Sequence, residues 1–101
     1  MKKYIHRIRH IHLKDCRLAI RDQARAEGWS FLTAVRNGVF TVPGDGVVDF
    51  ALLFDVIAES GYEGWVVVEA EQDPAKANPF EYAKMAKAPI SAKRRGCNTV
   101  R

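Results

Sequence analysis

Two short runs of strand-forming residues, kept apart by helix-forming sequence, constrain the fold more than any other feature of this chain. Residues 8–14 and the β-branched run WVVVE at residues 65–69 each have the length of one strand. Strands joined through helices pair in parallel, in a sheet whose faces the helices cover. The sequence therefore predicts an α/β fold.

The residues between the two strands are mostly helical in pattern. Residues 17–37 place apolar side chains at rough helical intervals, and Gly28 is suited to divide this stretch into two pieces. An extended loop at residues 39–46 follows. Asp49 is suited to cap a second helical segment, which we expect to end near Gly61.

The last predicted helix has several agreeing start signals. Asn78 is a suitable cap, Pro79 stands at the first helical position, and Glu81 lies three residues beyond the cap. We expect this helix to run to about Ala88 and to stop at Pro89. Two parallel strands leave two open edges and bury too little area to form a sheet alone, so this pattern predicts a piece of a larger α/β protein.

The first strand carries polar side chains at every second position. His10, His12 and Lys14 share one face, while Ile11 and Leu13 share the other. An unpaired polar group on a buried face costs about 1–3 kcal/mol. These three side chains are therefore either paired for structural reasons or line a functional site.

The second strand repeats this alternation and adds acidic groups at its end. One face carries Val66, Val68 and Ala70, and the other carries Trp65, Val67, Glu69 and Glu71. In parallel α/β folds, functional sites form at the carboxyl ends of the strands. A His and a Glu placed there suit Mn²⁺, Co²⁺ or Zn²⁺. An internal salt bridge of Glu69 with Lys14 or His12 is the structural alternative.

Composition narrows the class of protein. The chain has 101 residues and a net charge of +4, which allows one small domain or a piece of a larger one. Residues 89–101 hold four of the 16 basic residues and no acidic one, so the remaining basic residues equal the 12 acidic residues in number. The excess positive charge lies in the tail, and specific nucleic-acid binding is not expected.

Cysteine usage and hydropathy predict a reduced, cytoplasmic protein. Cys16 and Cys97 are isolated, without the spacing of a zinc site or of a disulfide framework. The sequence has no apolar run near 18 residues and no signal-peptide pattern at its start, so no membrane association is expected.

Three segments resemble a known family: RIRHIHLKDCR, FTVPGDGVVDF and GYEGWVVVEAEQDPAKANPFEYAK. They are similar to the C-terminal third of inosose dehydratases, within the xylose-isomerase-like superfamily of metal-dependent (β/α)8 barrels. The resemblance implies that residues 1–88 are the last two or so βα units of a TIM barrel, which takes about 250 residues and is incomplete in this chain. Residues 89–101 lose the amphipathic pattern of a closing helix, and we expect them to form a disordered basic tail.

The resemblance also implies roles for individual residues. The superfamily's metal-binding His and Glu correspond to His12 and Glu69, and two further ligands come from earlier strands. Lys14 is the implied catalytic residue, which holds an oxyanion or moves a proton, with solvated ion pairing as its alternative. His10 and Arg17 are the implied substrate-binding residues, with packing in support of the site as the alternative for His10.

For other residues near these motifs, the expected roles are less specific. Asp15 either faces the substrate or caps the following helix, and Glu71 is a further candidate to pair with a base. Phe40 belongs to a loop that shapes the site. Trp29 and Trp65 are expected in the core.

For the intact enzyme, the resemblance implies dehydration of 2-keto-myo-inositol (inosose), a small-molecule cyclitol ketone, in inositol catabolism. It further implies Mn²⁺ or Co²⁺ as the metal, and glutathione as a second cofactor. A sugar isomerase or epimerase of the same superfamily is the enzymatic alternative. The second alternative is not an enzyme but a non-catalytic module that uses the basic tail. By itself, the 101-residue chain is expected to be inactive.

Overall fold

A two-stranded parallel sheet organises the molecule, as the sequence predicts. The structure is a computed structural model that describes residues 1–94, with side chains to residue 92. Strand β1 (His10–Leu13) pairs with β4 (Trp65–Val68), and His10 lies opposite Trp65 in the register. Within residues 1–94 the sheets are two-stranded and do not close into a barrel.

The helices confirm most of the predicted order. Gly28 does separate two helices, α1 (Leu18–Ala26) and α2 (Phe31–Arg36). Helix α3 (Phe50–Glu59) begins after Asp49, whose carboxylate accepts the backbone N–H of Leu52. None of the helices within residues 1–94 has the length and apolar character needed to cross a bilayer.

Two short elements were not predicted. A 3₁₀ helix spans Lys2–Arg7. Strand β2 (Asp15–Cys16) continues from β1 and pairs antiparallel with β3 (Phe40–Thr41), inside the region that the sequence predicts as a loop. A strand of two residues is too short to show the alternation of apolar and polar residues from which strands are predicted.

The core lies on one face of β1, as its alternation predicts. Ile11 and Leu13 are buried, whereas His10 and His12 on the opposite face are exposed. The buried cluster that covers this face is completed by Phe50, Phe54, Ile57 and Tyr62. Helix α3 therefore covers the apolar side of β1 and leaves its histidine side open.

The predicted end of the last helix is wrong. Helix α4 runs over Pro79–Arg94 and includes Pro89, where the sequence predicted a stop. Continuing past Pro89 lets Ile90 pack against the buried cluster. The Pro89 ring also lies against Gly44, where an added Cβ would come within 2.8 Å of it. These contacts offset a proline penalty of about 3 kcal/mol. Residues 95–101, which hold the rest of the predicted tail, lie outside the described residues.

The placement of Trp65 in the core is also wrong. Its side chain is 69% exposed, and Trp29 is half-buried. Trp65 lies opposite His10 in the parallel register, so it shares the face of the sheet that α3 does not cover. Size and hydrophobicity predicted burial, but the strand alternation decides which face a residue takes.

Candidate active site

Polar side chains from β1 and β4 meet where these two strands end. Because the strands are parallel, the residues that follow Leu13 and Val68 lie at the same edge of the sheet. The backbone N–H of Glu69 donates to the carbonyl of Leu13 at 2.9 Å, which extends the ladder to that edge. His12 Nδ1 lies 2.9 Å from Glu69 Oε2. The predicted pair is therefore in direct contact.

Lys14 joins the same cluster. Its Nζ donates to Glu71 Oε2 at 2.6 Å and lies 3.4 Å from Glu69 Oε1. The ammonium also stands 4.5 Å from the centre of the Phe40 ring, in the geometry of a cation–π contact. Lys14 is thus held between two carboxylates and an aromatic face, with 26% of its side chain exposed.

These contacts shift the ionisation of the cluster toward the charged forms. The hydrogen bond from His12, followed by the one from Lys14, holds the pKa of Glu69 below its ordinary value. The hydrogen bond to Glu71 raises the pKa of Lys14, against partial burial, and Glu69 adds to this rise. At neutral pH Glu69 is therefore a carboxylate and Lys14 an ammonium.

The donors of this cluster fit a borderline-to-hard divalent metal. His12 Nδ1 and Glu69 Oε2 face each other across 2.9 Å, so an imidazole nitrogen and a carboxylate oxygen lie side by side. An imidazole nitrogen beside a carboxylate is a suitable partial set for Mn²⁺, Co²⁺ or Zn²⁺. Among the described side chains, no group of three or more His, Cys, Asp or Glu residues is arranged to hold a metal. His12 and Glu69 lie together in this cluster, and their role as metal ligands stays a prediction.

The two predicted substrate-binding residues lie in different places, one at the border of the cluster and the other outside it. The His10 ring lies 5.1 Å from the His12 ring, so it borders the cluster. Arg17 is not in it. Its guanidinium donates to the carbonyl of Gly38 and to Asp45, both at 2.9 Å. It also donates to Thr41 and Tyr82 at 3.3 Å. Arg17 therefore fastens residues 38–45, and its contact with substrate stays a prediction.

The Arg17 partner Asp45 is itself strongly held. Thr41 Oγ1 donates to Asp45 Oδ2 at 2.6 Å. This hydrogen bond holds the pKa of Asp45 below its ordinary value, against partial burial, and Arg17 acts in the same direction. The ion pair between Arg17, which precedes α1, and Asp45 in the loop that follows β3 is therefore charged over the whole neutral range.

Asp15 anchors the same loop from the other side and does not cap α1. Its carboxylate is fully buried, and the N-terminus of α1 has no side-chain cap. It accepts four backbone N–H bonds of 2.8–3.1 Å, from Cys16, Gly44, Gly46 and Val48. Gly46 has to be glycine here, because an added Cβ would overlap the Asp15 carboxylate.

Sequence reasoning missed Asp15 as an anchor, although the signal was present. Asp15 continues the buried alternation of Ile11 and Leu13, so its side chain had to lie on the inner face. A buried carboxylate needs several donors, and the glycine-rich turn at residues 44–46 offers exposed amides. The position of Phe40 over Lys14 had no comparable signal, because it depends on the β2–β3 pairing.

A parallel sheet with ionisable side chains clustered at its carboxyl edge is the arrangement found at the active sites of TIM-barrel enzymes. The sequence profile of the family described as xylose isomerase-like TIM barrel matches residues 1–89. The chain belongs to this family.

Individual relatives point to one branch of the family. The chain is 61% identical over 87 residues to a protein named inosose dehydratase from Geobacillus thermodenitrificans, a match that covers 86% of this chain and 29% of the relative. The inosose dehydratase of Klebsiella pneumoniae is 60% identical over the same length, with the same coverage. That of Lacticaseibacillus casei is 57% identical over 90 residues, covering 89% of this chain and 30% of the relative. The chain thus spans less than a third of the length of the curated relatives it matches.

Proposed function

We propose that this chain supplies one part of the active site of an inosose dehydratase, which eliminates water from 2-keto-myo-inositol. The observation that carries the proposal is the cluster of His12, Lys14 and Glu69 at the carboxyl edge of the sheet. The identity of 61% to a relative with that name supports the choice of substrate. By itself, the 101-residue chain is proposed to be inactive, because it carries two ligands of the expected metal set.

His12 and Glu69 would hold the metal, Mn²⁺ or Co²⁺. When bound, such an ion polarises a ketone and stabilises negative charge on its oxygen. His12 Nδ1 and Glu69 Oε2 lie 2.9 Å apart, so these two atoms would be near enough to contact one ion together. His10, whose ring lies 5.1 Å from that of His12, borders the space that the substrate ring would occupy.

Lys14 supplies a positive charge beside the two proposed ligands. Its ammonium is placed to hold the oxyanion that develops when the α proton leaves, or to give a proton at Nζ to the departing β-hydroxyl. Three sides of the ammonium are already bounded, by Glu69, Glu71 and the Phe40 ring. The substrate oxygen would therefore approach from the exposed side of Nζ.

A chimera tests the substrate. The matched 87-residue segment of the Geobacillus thermodenitrificans relative is replaced by the corresponding residues of this chain, and turnover is measured with Mn²⁺ or Co²⁺, with and without glutathione. We expect dehydration of inosose and no conversion of ketohexoses. Isomerisation of a ketohexose without dehydration of inosose would assign the segment to a sugar isomerase, and loss of both activities would contradict the proposal.

Two variants of the chimera test the ligands. His12→Ala and Glu69→Ala should lower bound Mn²⁺ and dehydratase turnover together, because each removes one donor from the metal. Bound metal is measured by elemental analysis after gel filtration. Glu81→Gln is the control, since Glu81 lies on α4 and pairs with Lys84. Unchanged metal content in both variants would remove His12 and Glu69 from the metal site.

A further inference from the structure

Glu71 has a backbone conformation that its residue type disfavours. Its φ angle is 51°, and it is the one non-glycine residue with a positive φ among the described residues; the others are Gly28, Gly38, Gly44 and Gly61. A residue with a Cβ is strained in this left-handed region, where glycine is not. Such strain persists where the surrounding structure enforces it, and it clusters at functional sites.

The strain at Glu71 is not explained by the stability of the contact it makes. Its carboxylate lies 2.6 Å from Lys14 Nζ, the shortest of the ion pairs among the described residues. The Glu71 side chain is nevertheless 39% exposed, and ion pairs open to solvent contribute little to folding. A strained backbone that produces a weakly stabilising contact indicates a role other than folding.

The geometry suggests what that role is. Lys14 has two acidic partners, and Glu69 at 3.4 Å is the weaker contact and also the proposed metal ligand. A carboxylate shared with a metal and a histidine cannot fix a lysine precisely. Glu71 can fix the lysine, because it makes a short contact with the ammonium and is not itself one of the two proposed metal ligands.

We infer that Glu71 is a positioning residue that fixes the Lys14 ammonium beside the substrate. The inference rests on the proposed function and deepens it. It makes the left-handed backbone of Glu71 part of the catalytic arrangement, since this conformation brings the carboxylate onto Lys14.

Kinetics of the chimera test the inference. Glu71→Gln keeps the size of the side chain and removes its charge, and we expect kcat to fall about 10-fold or more, because small misplacements of a catalytic group are costly. KM should change little. Glu71→Asp, which keeps the charge, should recover part of kcat. Glu81→Gln, which removes the carboxylate of another exposed Glu–Lys pair, should leave kcat unchanged.

A double-mutant cycle shows whether Glu71 acts through Lys14. In a Lys14→Met background, Glu71→Gln should cause no further loss of kcat, because the group it positions is absent. Losses that multiply would overturn the inference. An effect on KM alone would also overturn it, since that would place Glu71 in general substrate binding.

Two further measurements do not depend on turnover. Glu71→Gly relieves the backbone strain, so we expect a higher Tm together with a lower kcat. Acetylation of lysines, mapped by mass spectrometry, should become faster at Lys14 relative to Lys84 in the Glu71→Gln variant. An inactive parent chimera would count against the proposed function, whereas unchanged Tm and unchanged Lys14 labelling would overturn the role of Glu71.

Discussion

Replacing Asp15 with asparagine tests how the loop beside the site is held. In the buried carboxylate, Oδ1 accepts the amides of Cys16 and Val48, and Oδ2 accepts those of Gly44 and Gly46. Asparagine has almost the same shape, but its NH₂ group must face one of these two pairs of donors. Asp15→Asn therefore loses two hydrogen bonds to a charged acceptor, whichever way the amide is turned.

The expected loss is large. A hydrogen bond to a charged group contributes about 1.5–3 kcal/mol, so two of them amount to about 3–6 kcal/mol of unfolding free energy. Bonds within one network are not additive, which favours the lower end of this range. The total stability of a domain is only about 5–15 kcal/mol. Asp15→Asn should thus remove a substantial fraction of it.

Urea denaturation of the chimera, followed by circular dichroism, measures this loss. Amide hydrogen exchange should also accelerate at Gly44, Gly46 and Val48. Asp49→Asn is the matched control, because Asp49 caps α3 and asparagine is an equally good cap, so its effect should stay within about 0.5 kcal/mol. An Asp15→Asn variant within about 1 kcal/mol of the parent would refute the anchoring argument.

Three further outcomes are expected. Lys14→Met should lower turnover of the chimera by about 10²–10³, as for the loss of a transition-state donor, with metal content unchanged; a rate close to that of the parent would leave Lys14 a surface ion-pair residue. Because the pKa of Asp45 is lowered in the folded state, its contribution to stability is present above the unfolded pKa and is lost as pH falls through the folded one. Asp45→Asn should therefore flatten the acid limb of stability below about pH 4, and an unaltered limb would contradict the lowered pKa of Asp45. The 101-residue chain by itself exposes several large apolar side chains by more than half, so it should bind a hydrophobic dye, bind Mn²⁺ weakly and show no dehydratase activity. A cooperative, monomeric melt with inosose turnover would overturn this last expectation.

The strand alternation predicted most of the fold around the site. It placed His12 and Lys14 on one face and Ile11 and Leu13 on the other, and the parallel pairing with β4 followed from the helices between the strands. Capping signals located α3 and the start of α4. These features are local, so the sequence pattern is enough to predict them.

The features that the sequence did not predict depend on long-range contacts. Helix α4 continues past Pro89 because Ile90 and the Pro89 ring find partners elsewhere in the chain. Arg17 pairs with Asp45 because Asp45 lies in a loop whose backbone is held by the Asp15 carboxylate. The left-handed conformation of Glu71 likewise has no local signal, because the residue-type preference of glutamate does not predict it.

The long separation between the two strands also sets the time at which the site can form during synthesis. His12 and Glu69 are 57 residues apart in the chain. A ribosome adds about 5–20 residues per second, so β1 waits roughly 3–11 s for its partner strand to be made. During that interval His12 and Lys14 are present without Glu69 and Glu71, the two carboxylates that they contact. The cluster is therefore completed only after helix α3, which lies between the two strands in the chain, has been made.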